Sequence, residues 1–181
     1  MYKRQALCCP DEESRNRVKF YATQARDQAP HYEHTRIGYN YRLSNVCAGI
    51  GRGQMLSLPS FLEKRRGIHE EYRRRLSGVP GLSLLENPDS RYHSNHWLTC
   101  VQVNPEEARF DRETLRLALQ KAGVESRPLW KPMHLQPVFR SCPFYGSGVS
   151  DRLFEQGLCL PSGASLAGED VDRIIDVLLN L

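Results

Sequence analysis

The sequence contains neither Gly-x-x-x-x-Gly-Lys nor Gly-x-Gly-x-x-Gly, which removes the common phosphate cradles of nucleoside triphosphatases and dinucleotide enzymes. It also has no Gly-x-Ser-x-Gly elbow, so a serine hydrolase of that type would lack its nucleophile turn. The six cysteines, at 8, 9, 47, 100, 142 and 159, show neither the Cys-x-x-Cys spacing of zinc and redox sites nor the density of a secreted disulfide scaffold. Reduced thiols in a cytoplasmic protein are expected. His31, His34, His93, His96 and His134 form no recognised ligand pattern, and zinc is not expected. No window approaches the ~20 apolar residues that span a bilayer, and the N-terminus has no signal-peptide core.

What is present suits a globular α/β chain: 181 residues, 40% of them hydrophobic, with a net charge of +4 from 25 basic and 21 acidic residues. That charge is too mild and too mixed to point to nucleic acid. The densest basic run, Lys64-Arg65-Arg66 with Arg73-Arg74-Arg75, is interleaved with Glu63, Glu70 and Glu71, as on a solvated helix face.

The most unusual stretch runs from His31 to Gln54. Gly38-Tyr39-Asn40-Tyr41-Arg42 presents aromatic and amide groups, and Ser44-Asn45 can cap the helix that follows. That helix carries Gly49, Gly51 and Gly53, although glycine weakens a helix by roughly 1 kcal/mol per position. Something therefore approaches its backbone closely. A tight crossing within the chain is the simpler explanation, and a contact with another subunit is the alternative.

The remaining elements follow from periodicity. A helix is expected over 11–25, with Asp11, Glu12 and Glu13 in its first turn, an apolar stripe of Val18, Tyr21, Ala22 and Ala25, and Pro30 closing it. Pro59 marks a boundary before a second long helix, 60–76. Residues 96–103 mix aromatic and β-branched side chains at strand length. Phe110, Asp111 and Leu115 have the form of a hydrophobic staple around an N-cap, opening a helix to Ala122 that Gly123 stops. A strand over 124–128, a helix over 150–156, a strand over 158–161 and an amphipathic helix over 169–179 complete the order. Helices packed on a small sheet are expected from residue 59 onward. The part before it, with a basic lead at Met1 to Gln5 that reads as non-native, looks like the tail of a larger domain.

A second unusual stretch, 125–137, places three prolines among Arg127, Trp130, Lys131, His134 and Gln136. Cations there suit a phosphate or carboxylate, and a Trp face suits a base or sugar ring. A proline-stiffened structural loop is the competing explanation.

Four anchors in order, Gly38 to Asn45, Ser94-Asn95-His96-Trp97, Arg127-Pro128-Leu129-Trp130-Lys131-Pro132-Met133-His134, and Leu158-Cys159-Leu160-Pro161-Ser162-Gly163, make the chain resemble the DegT/DnrJ/StrS family. These are pyridoxal-phosphate-dependent nucleotide-sugar aminotransferases. The Trp-Lys-Pro-Met-His form is most similar to members that aminate UDP-linked 4-keto-6-deoxy sugars for bacillosamine-type glycans or exopolysaccharide. The resemblance implies a fragment of an aspartate-aminotransferase-like (fold type I) α/β homodimer. Residues 1–58 would be the tail of the cofactor-binding domain and 59–181 the small C-terminal domain. It further implies a glutamate donor, while the charge and hydropathy already described give no membrane or nucleic-acid partner. By resemblance Asn40 reaches the cofactor phosphate or substrate across the dimer. Arg127, Pro128, Leu129 and Trp130 contact the nucleotide sugar, with Lys131, His134, His96 and Trp97 near the same pocket. The Schiff-base lysine of the family has no counterpart among Lys3, Lys19, Lys64, Lys121 and Lys131, so the chain alone is not expected to transaminate.

Overall fold

The computed structural model describes residues 6–181; the Met1 to Gln5 lead lies outside them. The chain divides into two compact units, Met1–Ser57 and Leu58–Leu181.

In the first unit, α1 (Glu12–Ala22) begins where Asp11 accepts a hydrogen bond from the Ser14 amide at 2.7 Å. It stops three residues short of the expected end, and Pro30 plays no part in stopping it. Gln24 and Ala25 adopt φ of 68° and 49°, a left-handed pair that reverses the chain. The reversal lets the backbone of 39–41 run beside the helix end: Gln24 N–H donates to the Tyr39 carbonyl, Tyr39 N–H to Tyr21 and Tyr41 N–H to Ala22. Gly38 makes this approach possible, because a Cβ there would stand 2.5 Å from the Ala25 nitrogen. Of the expected stripe only Ala25 is fully buried; Val18 and Tyr21 remain exposed.

The two helices expected on either side of Pro59 are one, α2 (Asn45–Leu76), opened by Ser44 Oγ accepting from the Cys47 amide at 3.2 Å. Proline removes only the hydrogen bond to residue 55. Residues 55–60 are all exposed, so water can take the freed carbonyl. The expected intrachain crossing is not made. A Cβ added to Gly49, Gly51 or Gly53 would meet nothing within 4 Å among the described residues.

The second unit is built on a four-stranded antiparallel sheet in the order β1 (Leu82–Leu84), β2 (Thr99–Val103), β4 (Gly157–Leu160), β3 (Arg127–Pro128). In β2, Thr99, Val101 and Val103 are buried while Cys100 and Gln102 are half-buried, the alternation of a sheet with one core face. All of β4 is buried, as befits an inner strand. Ile68, Tyr72 and Leu76 of α2, Leu115 and Leu119 of α4 (Arg112–Lys121), and Val171, Ile174, Ile175 and Leu178 of α6 (Gly168–Leu179) close the core. Each such side chain contributes roughly 1.5–3 kcal/mol by leaving water.

Several ends differ from expectation. The strand expected from His96 begins only at Thr99, because Ser94 Oγ accepts from the His96 amide and Asn95 Oδ1 from the Trp97 amide, holding the chain in a turn. The strand expected over 124–128 keeps only Arg127–Pro128. Three-residue β1 and the short helix α3 (Pro105–Ala108) carry too little pattern to be read from sequence. They meet at Gly81, whose φ of 74° and whose Cβ position, 2.3 Å from the Ala108 nitrogen, admit no side chain. The helix α5 (Val149–Gln156) begins one residue before its expected start. The basic run on α2 divides: Arg73 pairs with Glu70, Arg74 with Glu71 and Arg75 with Asp172 and Asp176, a solvated ionic face, whereas Arg65 and Arg66 donate to backbone carbonyls of the 94–97 turn.

The staple helix α4 behaves as expected, with Asp111 Oδ1 accepting from the Thr114 amide at 2.7 Å and Leu115 buried beneath. That backbone hydrogen bond, followed by the Thr114 hydroxyl, holds the Asp111 carboxyl below its usual range. A depressed folded-state value means the cap contributes above the unfolded value and is lost as pH falls through the folded one. The stability advantage of the native chain over Asp111→Asn should therefore shrink below about pH 4, read as converging urea midpoints; parallel midpoints across that range would refute it.

Candidate functional site

The Ser94–Trp97 turn is held from α2. Arg65 donates to the Trp97 carbonyl at 2.7 Å and Arg66 to the Ser94 carbonyl at 3.2 Å. Across from it β3 is fixed by its register with β4, Arg127 opposite Cys159 and Pro128 opposite Leu158, and by Leu129 N–H donating to the Gly157 carbonyl. Trp97 and Trp130 face each other with ring centroids 6.2 Å apart and planes inclined by 39°.

Between these segments and α6 lies a cavity of about 620 Å³. Trp97, Arg127, Pro128 and Trp130 line it, so residues thirty positions apart in sequence converge on one space. Its volume falls in the usual range for small-molecule sites. The polar groups are few and distinct. Arg127 pairs with Glu125 at 2.6 Å, both well exposed, a pairing weak enough for an incoming anion to displace. Arg173 and Asp170 reach the opposite wall from α6, and the Ser126 hydroxyl is buried without a partner. A buried hydroxyl left unpaired is costly.

The other expected site residues lie outside this lining. Leu129 turns its side chain over Gly157, where it serves packing. Lys131 is exposed, and its carbonyl accepts from Gln136. His134 stacks on Phe144 at 3.6 Å and sets Nε2 2.7 Å from Asp151 Oδ1, in a contact angled too poorly for a hydrogen bond. It ties the proline loop to α5. His96, at φ 44°, stacks on His69 at 3.6 Å. Burial, then the neighbouring His69, lowers the His96 pKa, so the stacked ring favours its neutral form. His69 itself is buried, with Nε2 3.3 Å from Glu86 and Nδ1 3.4 Å from the Thr99 hydroxyl. A lone histidine within a basic helix gives no sequence signal of that role. Asp170 and Arg173, three apart on an amphipathic helix, gave none either. In the first unit Asn40 is exposed, its side-chain oxygen accepting from the Arg42 amide at 3.2 Å.

The residues described do not complete a pyridoxal-phosphate site. Lys19, Lys64, Lys121 and Lys131 are all solvent-exposed, and none stands in an enclosed setting that could hold the cofactor as a Schiff base. Among the described residues no three His, Cys, Asp or Glu side chains gather as a metal site, and no helix is long and apolar enough to cross a membrane.

The second unit thus carries an aromatic, cation-bearing cavity, and comparison with known proteins identifies the class of the chain. Residues 6–179 match the model of the DegT/DnrJ/EryC1/StrS aminotransferase family, and the chain belongs to that family. Its members are pyridoxal-phosphate-dependent sugar aminotransferases of fold type I. The chain is 38% identical over 179 residues to EpsN of Bacillus subtilis (strain 168), named as a pyridoxal phosphate-dependent aminotransferase, covering 97% of this chain and 45% of that protein. It is 30% identical over 150 residues to a GDP-perosamine synthase of Vibrio cholerae, covering 82% of this chain and 40% of that one. Among solved structures, the aminotransferase TlmJ from Streptoalloteichus hindustanus superposes with a TM-score of 0.79 at 27% identity, covering 94% of this chain and 45% of TlmJ. The chain thus spans less than half the length of these relatives, and its fold is part of theirs.

Proposed function

We propose that this chain supplies the nucleotide-sugar-binding small domain, and the end of the cofactor domain before it, of an aminotransferase. That enzyme moves an amino group from glutamate to a UDP-linked 4-keto-6-deoxy sugar for glycan or exopolysaccharide synthesis. The observation that carries the reading is the convergence of Trp97, Arg127, Pro128 and Trp130 on one cavity. The two indoles offer stacking faces for a base or sugar, and Arg127 with Arg173 offers charge to a diphosphate. Asn40, displayed on an exposed segment of the unit that also holds the uncrowded Gly49, Gly51 and Gly53 of α2, is suited to reach the cofactor phosphate or the substrate of a second copy in a homodimer working in the cytoplasm. Pyridoxal phosphate would need a lysine that is not among the described residues.

The exposed lysines also favour a second reading, a non-catalytic nucleotide-sugar-binding or dimerising partner. The first reading and the nucleotide-sugar-binding form of the second require the cavity to bind.

Trp97 and Trp130 are the only tryptophans in the sequence and both line the cavity, so intrinsic fluorescence reports on it directly. Titration with UDP, GDP and dTDP should give saturable quenching, tightest for UDP. Arg127→Ala should weaken it ten- to hundredfold, the loss of a charge-assisted contact worth roughly 1.5–3 kcal/mol. Absence of saturable quenching by all three nucleotides would refute the binding role, and a preference for GDP or dTDP would refute the UDP assignment.

A further inference from the structure

One wall of the same cavity is formed in part by Cys159, a member of a thiol pair that nucleotide binding does not use. Cys100 of β2 and Cys159 of β4 are register partners, with their Sγ atoms 3.9 Å apart. The ladder fixes the kind of pair they form. The Cys100 carbonyl accepts from Leu85 N–H, so its backbone polar groups point toward β1 and away from β4. The Gly157 carbonyl accepts from Leu129 N–H, so alternate residues of β4, Cys159 included, turn theirs toward β3. The two cysteines therefore occupy a non-hydrogen-bonded position of the antiparallel pair, where side chains come closest and Cα atoms lie about 4.5 Å apart. That separation lies within the range a disulfide spans, so a bond between the two sulfurs can form.

The two thiols meet different surroundings: Cys159 is buried in the cavity wall, whereas Cys100 is half-buried outside that lining. The two sulfurs stand 3.9 Å apart and either thiol can donate to the other, so the sulfur oxidised first has the second within reach as its resolving thiol.

We propose that Cys100 and Cys159 form a reversible peroxide-oxidisable dithiol site in the wall of the nucleotide cavity. The Cys159 thiolate attacks one oxygen of hydrogen peroxide, the O–O bond breaks, and after proton transfer Cys159 is a sulfenic acid and one water has left. Cys100 sulfur then attacks Cys159 sulfur, the S–O bond breaks, and the Cys100 proton leaves with the departing hydroxide as a second water. Two thiols and one peroxide become one disulfide and two waters. A dithiol reductant reverses the change by thiol–disulfide exchange. Because Arg127 is the register partner of Cys159, drawing Cys159 toward Cys100 acts directly on the residue opposite Arg127.

The test is peptide mapping of the full chain after brief exposure to hydrogen peroxide, quenching with catalase, alkylation of free thiols and tryptic digestion. Cys100 falls in peptide 92–109 and Cys159 in 153–173, each the only cysteine of its peptide. The expected product is the cross-linked pair of these peptides, converted by dithiothreitol back to two alkylatable thiols. Its yield should fall about tenfold or more when peroxide is added in urea, since only the fold brings the two together. In Cys100→Ser, Cys159 should progress to sulfinic acid for want of a resolving thiol. Recovery of both peptides un-cross-linked from the native chain, or equal cross-linking with and without urea, would overturn the proposal. Neither result depends on whether nucleotides bind, so failure here is separable from failure of the functional reading.

Discussion

Tyr72→Ala should lower the unfolding free energy of the second unit by about 3–5 kcal/mol, a range set by large-to-small changes at buried aromatic positions. Tyr72 is fully buried, and its hydroxyl donates to the Pro161 carbonyl at 3.0 Å. The substitution removes the ring from the core and strips Pro161 of its partner. Desolvation pushes the Tyr72 phenol well above its ordinary range, so it remains a donor at every pH at which the chain is folded. Tyr72→Phe separates the two contributions. Keeping the ring and losing the hydrogen bond should cost only about 1–2 kcal/mol. Urea unfolding followed by far-ultraviolet circular dichroism measures both, and equal midpoints for the two variants would show that ring burial contributes nothing. Against a total stability of about 5–15 kcal/mol for an ordinary domain, the alanine variant comes close to unfolding under native conditions.

Gly157→Ala is expected to destabilise the second unit for a different reason. Gly157 has φ −94° and ψ 138°, a conformation alanine adopts freely, so the backbone does not require glycine there. The space does. An added Cβ would stand 2.2 Å from Leu129 Cδ1 and 2.4 Å from the Leu153 carbonyl oxygen. Leu129 can rotate away, but the carbonyl belongs to the last turns of α5, so that helix or the strand must move. Overpacking of this kind costs about 1–3 kcal/mol. The move displaces Leu129 between Pro128 and Trp130, which both line the cavity. Nucleotide-dependent quenching should therefore weaken together with stability. A variant with native urea midpoint and native quenching would show that Leu129 and α5 yield without cost.

These two sites show what could be read from the chain. Tyr72 was legible, since it stands with Ile68 and Leu76 on one face of an amphipathic helix, and the same periodicity gave Val171, Ile174, Ile175 and Leu178 on α6. Gly157 was legible only as the end of a helix. Its second role, as the gap that receives Leu129, depends on a strand pairing between distant segments that no local pattern encodes. The same limit explains why Arg127 and Trp130 could be singled out while Ser126, Asp170 and Arg173 were not. A crowded proline loop announces itself, whereas a serine before an arginine and an acid–base pair on a terminal turn look ordinary until the fold sets them around one space. Propensity also misled at Pro59, where a long helix absorbs one missing hydrogen bond, and at Gln24 and Ala25, whose left-handed turn carries no glycine to mark it.

The pairing of β2 with β4 has a kinetic consequence. The central contact of the sheet joins residues 59 positions apart, Cys100 with Cys159, and the intervening chain forms α4 and the proline loop before the partner strand arrives. Closing so long a loop makes the sheet a late event, and chains dominated by such distant pairings fold slowly. During synthesis β1 and β2 emerge with an open edge and must wait for β4. Until then Val101 and Val103 have no neighbour on that side and are available to the wrong strand. The yield of correctly folded chain should therefore depend on how quickly ribosomes traverse the stretch between the two strands.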